Sequence, residues 1–325
     1  MQQFDVALFE ALNEEYAAKP LVPSPRQLTG VGLAEQGRRR LVGIEKHLSL
    51  HDKRVLEIGC GRGHTSRVLV DDYGCDVVAV DIVAHDDWND LADSGLTFSR
   101  RDLTETDNAD LGKFDVVLSF VVLEHVLHPY GMLKAIEPLL APGGKTYLSA
   151  NLYRGPRASH RYREVFFPWP HLLFTDEVFA EFYDRRDGHR ATPKTAAWVN
   201  KMTAAQYRTY FDLIGFAQHK VWLSAPLFDE DLYQRFHDLL GRYPRFDLSH
   251  DFIYAVLGPS SDGEDSESSL GLQARLMQAE ARLARTKREL AAVRARMSMM
   301  AEASSDAGGG PLTPARSEPS QPASG

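Results

Sequence analysis

The residues of this 325-residue chain with the clearest chemical implication lie in Val55–Gly63, VLEIGCGRG. An apolar, β-branched run enters this stretch and a helical pattern leaves it. Gly59, Gly61 and Gly63 let the backbone turn sharply and approach a ligand where a Cβ would collide. Glycines after a strand are often only a turn, so their spacing and neighbours decide the reading. A dinucleotide site has G-x-G-x-x-G, with the third glycine placed to admit a pyrophosphate; the spacing here is G-x-G-x-G. Glu57 stands just ahead, an acid unhelpful beside a pyrophosphate but suited to a ligand carrying an ammonium group. Asp81 closes the next apolar run eighteen residues after Gly63, where a carboxylate can accept both hydroxyls of a ribose. Asp102, in RRDL, is placed to accept from an adenine amino group, with Ile82 and Leu103 packed on the ring faces. The plainer alternative is that Asp102 caps the following helix. Cys60 reads as a small space-filler within the loop.

A second group follows the fourth apolar run, in SFVVLEHV (Ser119–Val126). An imidazole titrates near neutral pH, so His125, behind Glu124, can serve as the base that takes a hydroxyl proton. It can equally brace the loop. A divalent ion on Glu124, His125 and His128 is conceivable, because hydroxyl-rich substrates are sometimes chelated; the reading adopted is that no metal takes part. Downstream, Tyr153, His160, Trp169 and His171 (the last two in FPWPHLLF) are candidates for substrate contact. Aromatic faces stack on sugars or planar rings, yet the same residues could form the small core of a lid.

These groups need a scaffold. RVLEI (54–58), DVVAVD (76–81), LTFSR (96–100), FDVVLSF (114–120) and KTYLSA (145–150) read as strands. Helical stretches lie between them, at His64–Tyr73 closed by Gly74 and at Gly131–Leu140 closed by Pro142-Gly143-Gly144. Strands alternating with helices imply crossover connections and a mostly parallel sheet covered on both faces: an α/β, Rossmann-like architecture. The catalytic domain is expected over 53–258, after an N-terminal helical segment over 1–52. Residues 152–202 break the rhythm with prolines, aromatics and histidines, and are too long for a plain connection, which predicts a cap insertion. A helix over Ala204–Ile214, strands near Phe216–Leu223 and Asp251–Leu257, and a helical insert around Glu230–Leu240 complete the domain. Residues 259–269 have the composition of an acidic linker. From 270 to 303, Leu276, Leu283, Leu290 and Met297 repeat every seven residues, which predicts a coiled coil. Residues 304–325, rich in Gly, Pro and Ser, read as a disordered tail.

Composition narrows the function classes. A formal charge of −8 argues against a protein that wraps nucleic acid, which needs a basic surface. The first thirty residues lack the apolar run of a secretory signal, and no window supplies the ~18 uninterrupted apolar residues that span a bilayer. Two cysteines, Cys60 and Cys75, are too few for a disulfide framework. A cytoplasmic setting is expected. The coiled coil should pair with a copy of itself or with a helix of a partner protein.

VLEIGCGRG, VVAVD, RDL, FDVVLSFVVLEHVLHP and LLAPGG, in this order, resemble the class I S-adenosylmethionine-dependent methyltransferases. They are especially similar to the branch that contains the ubiquinone-biosynthesis O-methyltransferases. YFDLIGF, before the sixth strand, is similar to the stretch those enzymes carry there. The resemblance covers about residues 50–150 well and 203–257 loosely, and does not reach the insertion or the tail. It implies a seven-stranded sheet whose last strand is antiparallel, and S-adenosyl-L-methionine as cofactor. It also implies that Glu57, Gly59, Gly61, Asp81, Ile82, Asp102 and Leu103 line that cofactor, with Ser119 and Phe120 flanking its methionine end. The expected activity is in-line methyl transfer to a hydroxyl of a small molecule or glycan. Base-amino methyltransferases resemble one another in an (N/D/S)-P-P-(Y/F) run at the fourth strand exit, where this chain has SFVV. The alternative from another class is a non-catalytic cofactor-binding or scaffold protein acting through its coiled coil, which the intact motif argues against.

Overall fold

The structure, a computed structural model, describes residues 4–21, 29–105, 107–190 and 192–259. The expected coiled coil, the tail and the linker beyond Pro259 lie outside these residues. Two helices come first. α1 (Val6–Tyr16) begins where Asp5 accepts the Leu8 N–H at 3.1 Å, and it buries Val6, Phe9 and Leu12 at helical spacing. α2 (Gly30–Glu45) is capped by the Thr29 hydroxyl, which accepts the Gly32 N–H at 3.2 Å. The alternation then runs β1 (Arg54–Ile58), α3 (His64–Tyr73), β2 (Asp76–Asp81), α4 (Asp87–Leu91), β3 (Leu96–Arg100), β4 (Phe114–Phe120), α5 (Pro129–Ile136) and β5 (Leu140–Asn151). After the cap come α6 (Pro170–Leu173), α7 (Asp176–Asp187), α8 (Ala204–Ile214) and β6 (Ala217–Leu223). α9 (Glu230–Arg235), α10 (His237–Leu240), α11 (Arg245–Ser249) and β7 (Phe252–Gly258) follow.

The seven strands form one sheet in the order β3-β2-β1-β4-β5-β7-β6, parallel except for β7, which runs against both neighbours. The chain builds outward from β1 in one direction and from β4 in the other. Ile58 and Ser119 therefore sit side by side at the strand ends, and the crevice beyond such a reversal is where open parallel sheets bind ligands. The inner strands β1, β4, β5 and β7 are mostly apolar because both faces are covered, whereas the edge strands β3 and β6 carry polar, exposed positions. One face packs under α5 and α8 through Met132, Leu133, Ile136, Tyr207 and Phe211. The other packs under α2 and α3 through Leu41, Ile44, Val68 and Leu69. No helix among the described residues is long and apolar enough to cross a membrane.

A third core was not visible as a unit in the sequence. It joins α1, the segment from Val165 to Tyr183 and the segment from Leu232 to Leu248. The Phe9 ring lies 5.2, 5.0, 5.1 and 4.7 Å from those of Phe167, Phe174, Phe179 and Phe182. Polar pairs seal its margin. Asn13 donates to the Glu164 carbonyl at 3.1 Å and accepts from the Phe166 N–H at 2.7 Å. The Tyr16 hydroxyl donates to Asp229 at 2.8 Å. The N-terminal segment thus splits in two, with α1 in the cap and α2 on the sheet. The insert expected around Glu230–Leu240 is two short helices broken at Phe236.

Candidate active site

The glycine loop fills the reversal point. Gly59 leaves β1 with φ +72°, and a Cβ there would stand 2.2 Å from Val122 Cγ2, on the loop leaving β4. Gly63 has φ +83°, and its Cβ would meet the Phe98 ring at 2.5 Å. The loop is tied down from outside. The Trp88 indole N–H donates to the Gly61 carbonyl at 2.8 Å, and Arg62 and His64 both hold Asp87. The Arg62 guanidinium, with His64 adding to it, holds Asp87 down to about 2. From inside, the Asp81 carboxylate accepts the Gly61 N–H at 2.8 Å and the Val83 N–H at 3.0 Å. A carboxylate offers about four acceptor sites, so Asp81 retains capacity for a ligand.

A cavity of about 490 Å³ opens here, with Gly59, Asp81, Ile82, Asp102, Leu103 and His125 on its wall. That size suits a nucleoside-class ligand. Asp102 accepts the Thr104 N–H at 2.8 Å and its hydroxyl at 2.7 Å, closing a local turn rather than capping a helix, since none begins there. Glu57, Gly61, Gly63, Ser119 and Phe120 are not on this wall. Glu57 is buried beneath the loop, where it accepts from the Ser66 hydroxyl. Burial pushes its carboxyl up to about 7, against the opposing pull of Ser66 and Arg40. Arg40, on α2, is a residue that sequence reasoning missed. Its guanidinium carbon lies 4.6 Å from the centre of the Phe120 ring, and burial lowers its pKa. Arg40 is half-buried and near enough to Glu57 to oppose the effect of burial on its carboxyl.

Ionised Glu57 carries a burial penalty that protonation relieves. A folded-state pKa above the unfolded value stabilises the chain at low pH, and that contribution fades as pH rises through about 7. Glu57→Gln should therefore gain up to about 3 kcal/mol over wild type between pH 5 and pH 8. Melting curves of the ligand-free proteins at both pH values check this; parallel pH dependence would refute it.

The second group occupies the exit of β4. Glu124 is fully buried and neither of its oxygens makes a hydrogen bond of good geometry. Burial pushes it up to about 8, and the nearby backbone N–H groups, its own and that of Asn151, only lessen the effect. His125 is exposed, with Nδ1 3.1 Å from the Trp198 carbonyl. A carbonyl can only accept, so Nδ1 carries the proton and the neutral ring keeps its lone pair on Nε2. The cap brings His160 edge-on to His125, with ring centres 4.9 Å apart. Burial pushes His160 down to about 4, and His125 adds to the shift. The potential ligand atoms of Glu124, His125 and His160 lie within 4.8 Å of one another, a grouping able to hold a metal ion; His128, on the cavity wall, is outside it.

The remaining candidates divide. His171 donates from Nε2 to the Tyr153 carbonyl at 2.6 Å, and the two rings meet at 5.2 Å. Trp169, expected at the substrate, is instead a core residue. It is fully buried, its indole N–H donates to the Leu248 carbonyl at 2.9 Å, and its ring packs on Phe228. The segment from Leu232 to Leu248 covers it, which its neighbours in sequence do not reveal.

Comparison with known proteins gives consistent results. The family described as "Methyltransferase domain" matches residues 33–217. The ubiquinone biosynthesis O-methyltransferase of Stutzerimonas stutzeri (strain A1501) is 32% identical over 162 residues, covering 47% of this chain and 65% of that protein. The enzyme of the same name from Pseudomonas aeruginosa (strain UCBPP-PA14) is 34% identical over 160 residues, with the same coverage of 47% and 65%. The match thus spans slightly under two thirds of these relatives' length. Phosphoethanolamine N-methyltransferase 2 of Haemonchus contortus, solved with S-adenosyl-L-methionine, aligns with a TM-score of 0.45 at 16% identity. That alignment covers 72% of this chain and 58% of the other.

Proposed function

Since the chain belongs to the methyltransferase-domain family, we propose that it moves the methyl group of S-adenosylmethionine onto a hydroxyl of a small molecule. It is an S-adenosylmethionine-dependent methyltransferase; the hydroxyl acceptor is the reading added here. The observation that carries it is the placement of His125, which stands on the wall of the cavity that Asp81 and Asp102 also line, with Nδ1 bonded to the Trp198 carbonyl. The relatives named for O-methylation support the same acceptor atom.

The site fits the cofactor by its own chemistry. Asp81 has acceptor capacity for the ribose, while Ile82 and Leu103 offer apolar cover for the adenine. When bound, S-adenosylmethionine supplies a methyl group already activated on a sulfonium, so the protein's task is alignment and proton removal. The fixed tautomer of His125 leaves Nε2 free to take the acceptor's proton as oxygen attacks.

Asp81→Ala should weaken cofactor binding by about 2–4 kcal/mol, the value of paired charge-assisted hydrogen bonds. Calorimetry with S-adenosylmethionine measures this, with NAD as the negative control. Unchanged affinity, or NAD binding, would overturn the cofactor assignment. For the acceptor, transfer of labelled methyl groups to a panel of phenols, catechols and sugar alcohols against matched amines is the test. Transfer to amines alone would overturn the hydroxyl reading.

A further inference from the structure

The substrate candidates of the cap line up with the base. The rings of His125 and His160 meet at 4.9 Å, and those of His171 and Tyr153 at 5.2 Å. His160 is in turn close enough to His171 to disfavour its protonation. Residues 198–202 run alongside and are tied at both ends. The Trp198 carbonyl stands 3.1 Å from Nδ1 of His125, and the Met202 carbonyl accepts the Tyr153 N–H at 3.3 Å. Between these ties the exposed Lys201 has its Nζ 5.4 Å from the centre of the Tyr153 ring. That ammonium has no carboxylate within ion-pair distance among the described residues. We propose that Lys201 is a specificity-determining residue, and that the hydroxyl acceptor carries an anionic group which this ammonium binds. The inference rests on the hydroxyl reading above and names the class of acceptor.

Three features support this. The first is charge. The chain carries a formal charge of −8, yet cations stand around the candidate residues: Arg161 near His160, Lys201 near His171 and Arg242 near Tyr153. Arg161 donates to the Thr195 carbonyl at 2.7 Å and Arg242 lies over the Tyr243 ring; neither forms an ion pair among the described residues. Asp176 is the acid that acts on Tyr153, and Glu124, pushed up to about 8, is mostly protonated at neutral pH. A region of one sign attracts ligands of the other. The second feature is strain. Lys201 holds φ of +62°, in the left-handed region that a lysine rarely adopts. Asn200, beside it, donates to the Leu123 and Val126 carbonyls at 2.6 and 3.2 Å, which pins this backbone to the turn carrying His125. Such conformations persist where the surroundings over-determine them, and they concentrate at ligand sites.

The third feature is reach. Three steps of chain separate Lys201 from Trp198, so their Cα atoms are at most about 11 Å apart. An acceptor the size of a substituted phenol is long enough to place its hydroxyl at His125 and its anionic group at Lys201. Lys201 makes and breaks no bond in this arrangement; it fixes which hydroxyl meets the base. His125 takes the proton as the O–CH3 bond forms and the C–S bond breaks, the electron pair of that bond going to sulfur.

The test uses the full chain with S-adenosylhomocysteine bound, so that affinity is read without turnover. The probes share one phenol: 3-(4-hydroxyphenyl)propionate, its primary amide, and tyramine. Calorimetry should show the acid binding at least about tenfold more tightly than the amide, and tyramine more weakly than either. Lys201→Met should abolish the preference for the acid and Lys201→Arg should keep most of it, while both variants bind S-adenosylmethionine and melt as wild type. Equal binding of acid and amide, binding of neither, or a preference unchanged in Lys201→Met overturns the assignment. If 4-hydroxyphenyl phosphate joins the series, the tighter of the two anions tells a phosphate-bearing acceptor from a carboxylate-bearing one. Labelled methyl transfer separates the two ideas. Transfer to the phenol oxygen at equal kcat/KM for acid and amide removes Lys201 from acceptor choice and leaves O-methylation standing. Methylation of tyramine at nitrogen, with no transfer to any phenol oxygen, overturns the hydroxyl reading itself.

Discussion

Gly59→Ala should lower the affinity for S-adenosylmethionine by more than about 100-fold, the largest loss expected from adding one methyl group to this chain. Two costs combine. The backbone at Gly59 has φ +72°, a left-handed conformation that costs a residue with a Cβ about 1–2 kcal/mol. The new methyl would also stand 2.2 Å from Val122 Cγ2, far inside contact distance. Val122 follows Val121, which already holds a strained φ of +59°. Relief must come from moving the glycine loop, which drags the Gly61 N–H away from Asp81 and disturbs the ribose site. Calorimetry against S-adenosylmethionine gives the affinity, and a melting curve shows whether the sheet survives. A Val122→Ala change in the same chain should restore part of the loss, as expected for residues in direct contact. Affinity within threefold of wild type in the single variant would mean that the loop is looser than its hydrogen bonds suggest.

His125→Ala should act on rate and hardly on cofactor binding. The side chain is exposed and its loss leaves no buried group unpaired on His125 itself, so folding is not at stake. Without the imidazole the acceptor hydroxyl loses its base, and the single-turnover rate should fall about 100-fold or more. Cofactor affinity should stay within about twofold, because the ribose and adenine are assigned to Asp81 and Asp102 and not to His125. A variant that keeps the wild-type rate would make His125 a brace for the turn between Leu123 and His125, and transfer would then depend on alignment alone.

The inner strands were legible because they are runs of β-branched and aliphatic residues, as burial on both faces demands, while the exposed edge strands β3 and β6 are more mixed in sequence. Gly59, Asp81, Ile82, Asp102 and Leu103 were legible for a related reason: each sits at a strand end or one turn beyond it, and topology brings those ends together. Arg40 was hidden because it lies within an Arg-Arg-Arg run on a helix, which resembles a solvated face until Phe120 covers one member. α7 was missed because its buried residues, Phe179, Phe182 and Tyr183, keep helical spacing over little more than one turn, too short a repeat to stand out within a proline- and aromatic-rich insertion. Trp169 was misjudged because nothing between Leu152 and Met202 says what will cover it. Its cover comes from residues some eighty positions further on. The seven-residue repeat beyond Leu270 falls outside the described residues.

The third core has a bearing on how the chain folds. Asn13 bonds Glu164 across 151 residues, and Tyr16 bonds Asp229 across 213. During synthesis α1 emerges first, yet it has no partner until the cap appears, and no complete one until the segment before β7 leaves the ribosome. Closing such long loops is slow relative to local pairing. The β1–β5 part of the sheet should therefore assemble while α1 still waits with Phe9 and Leu12 exposed. Cap closure should be a late step, separable in refolding experiments from formation of the sheet. The same dependence constrains how such a cap can diverge. A change in one of its three strands of sequence must be matched in the other two, so acceptor preference would shift by concerted exchange of distant segments rather than by editing the insertion alone.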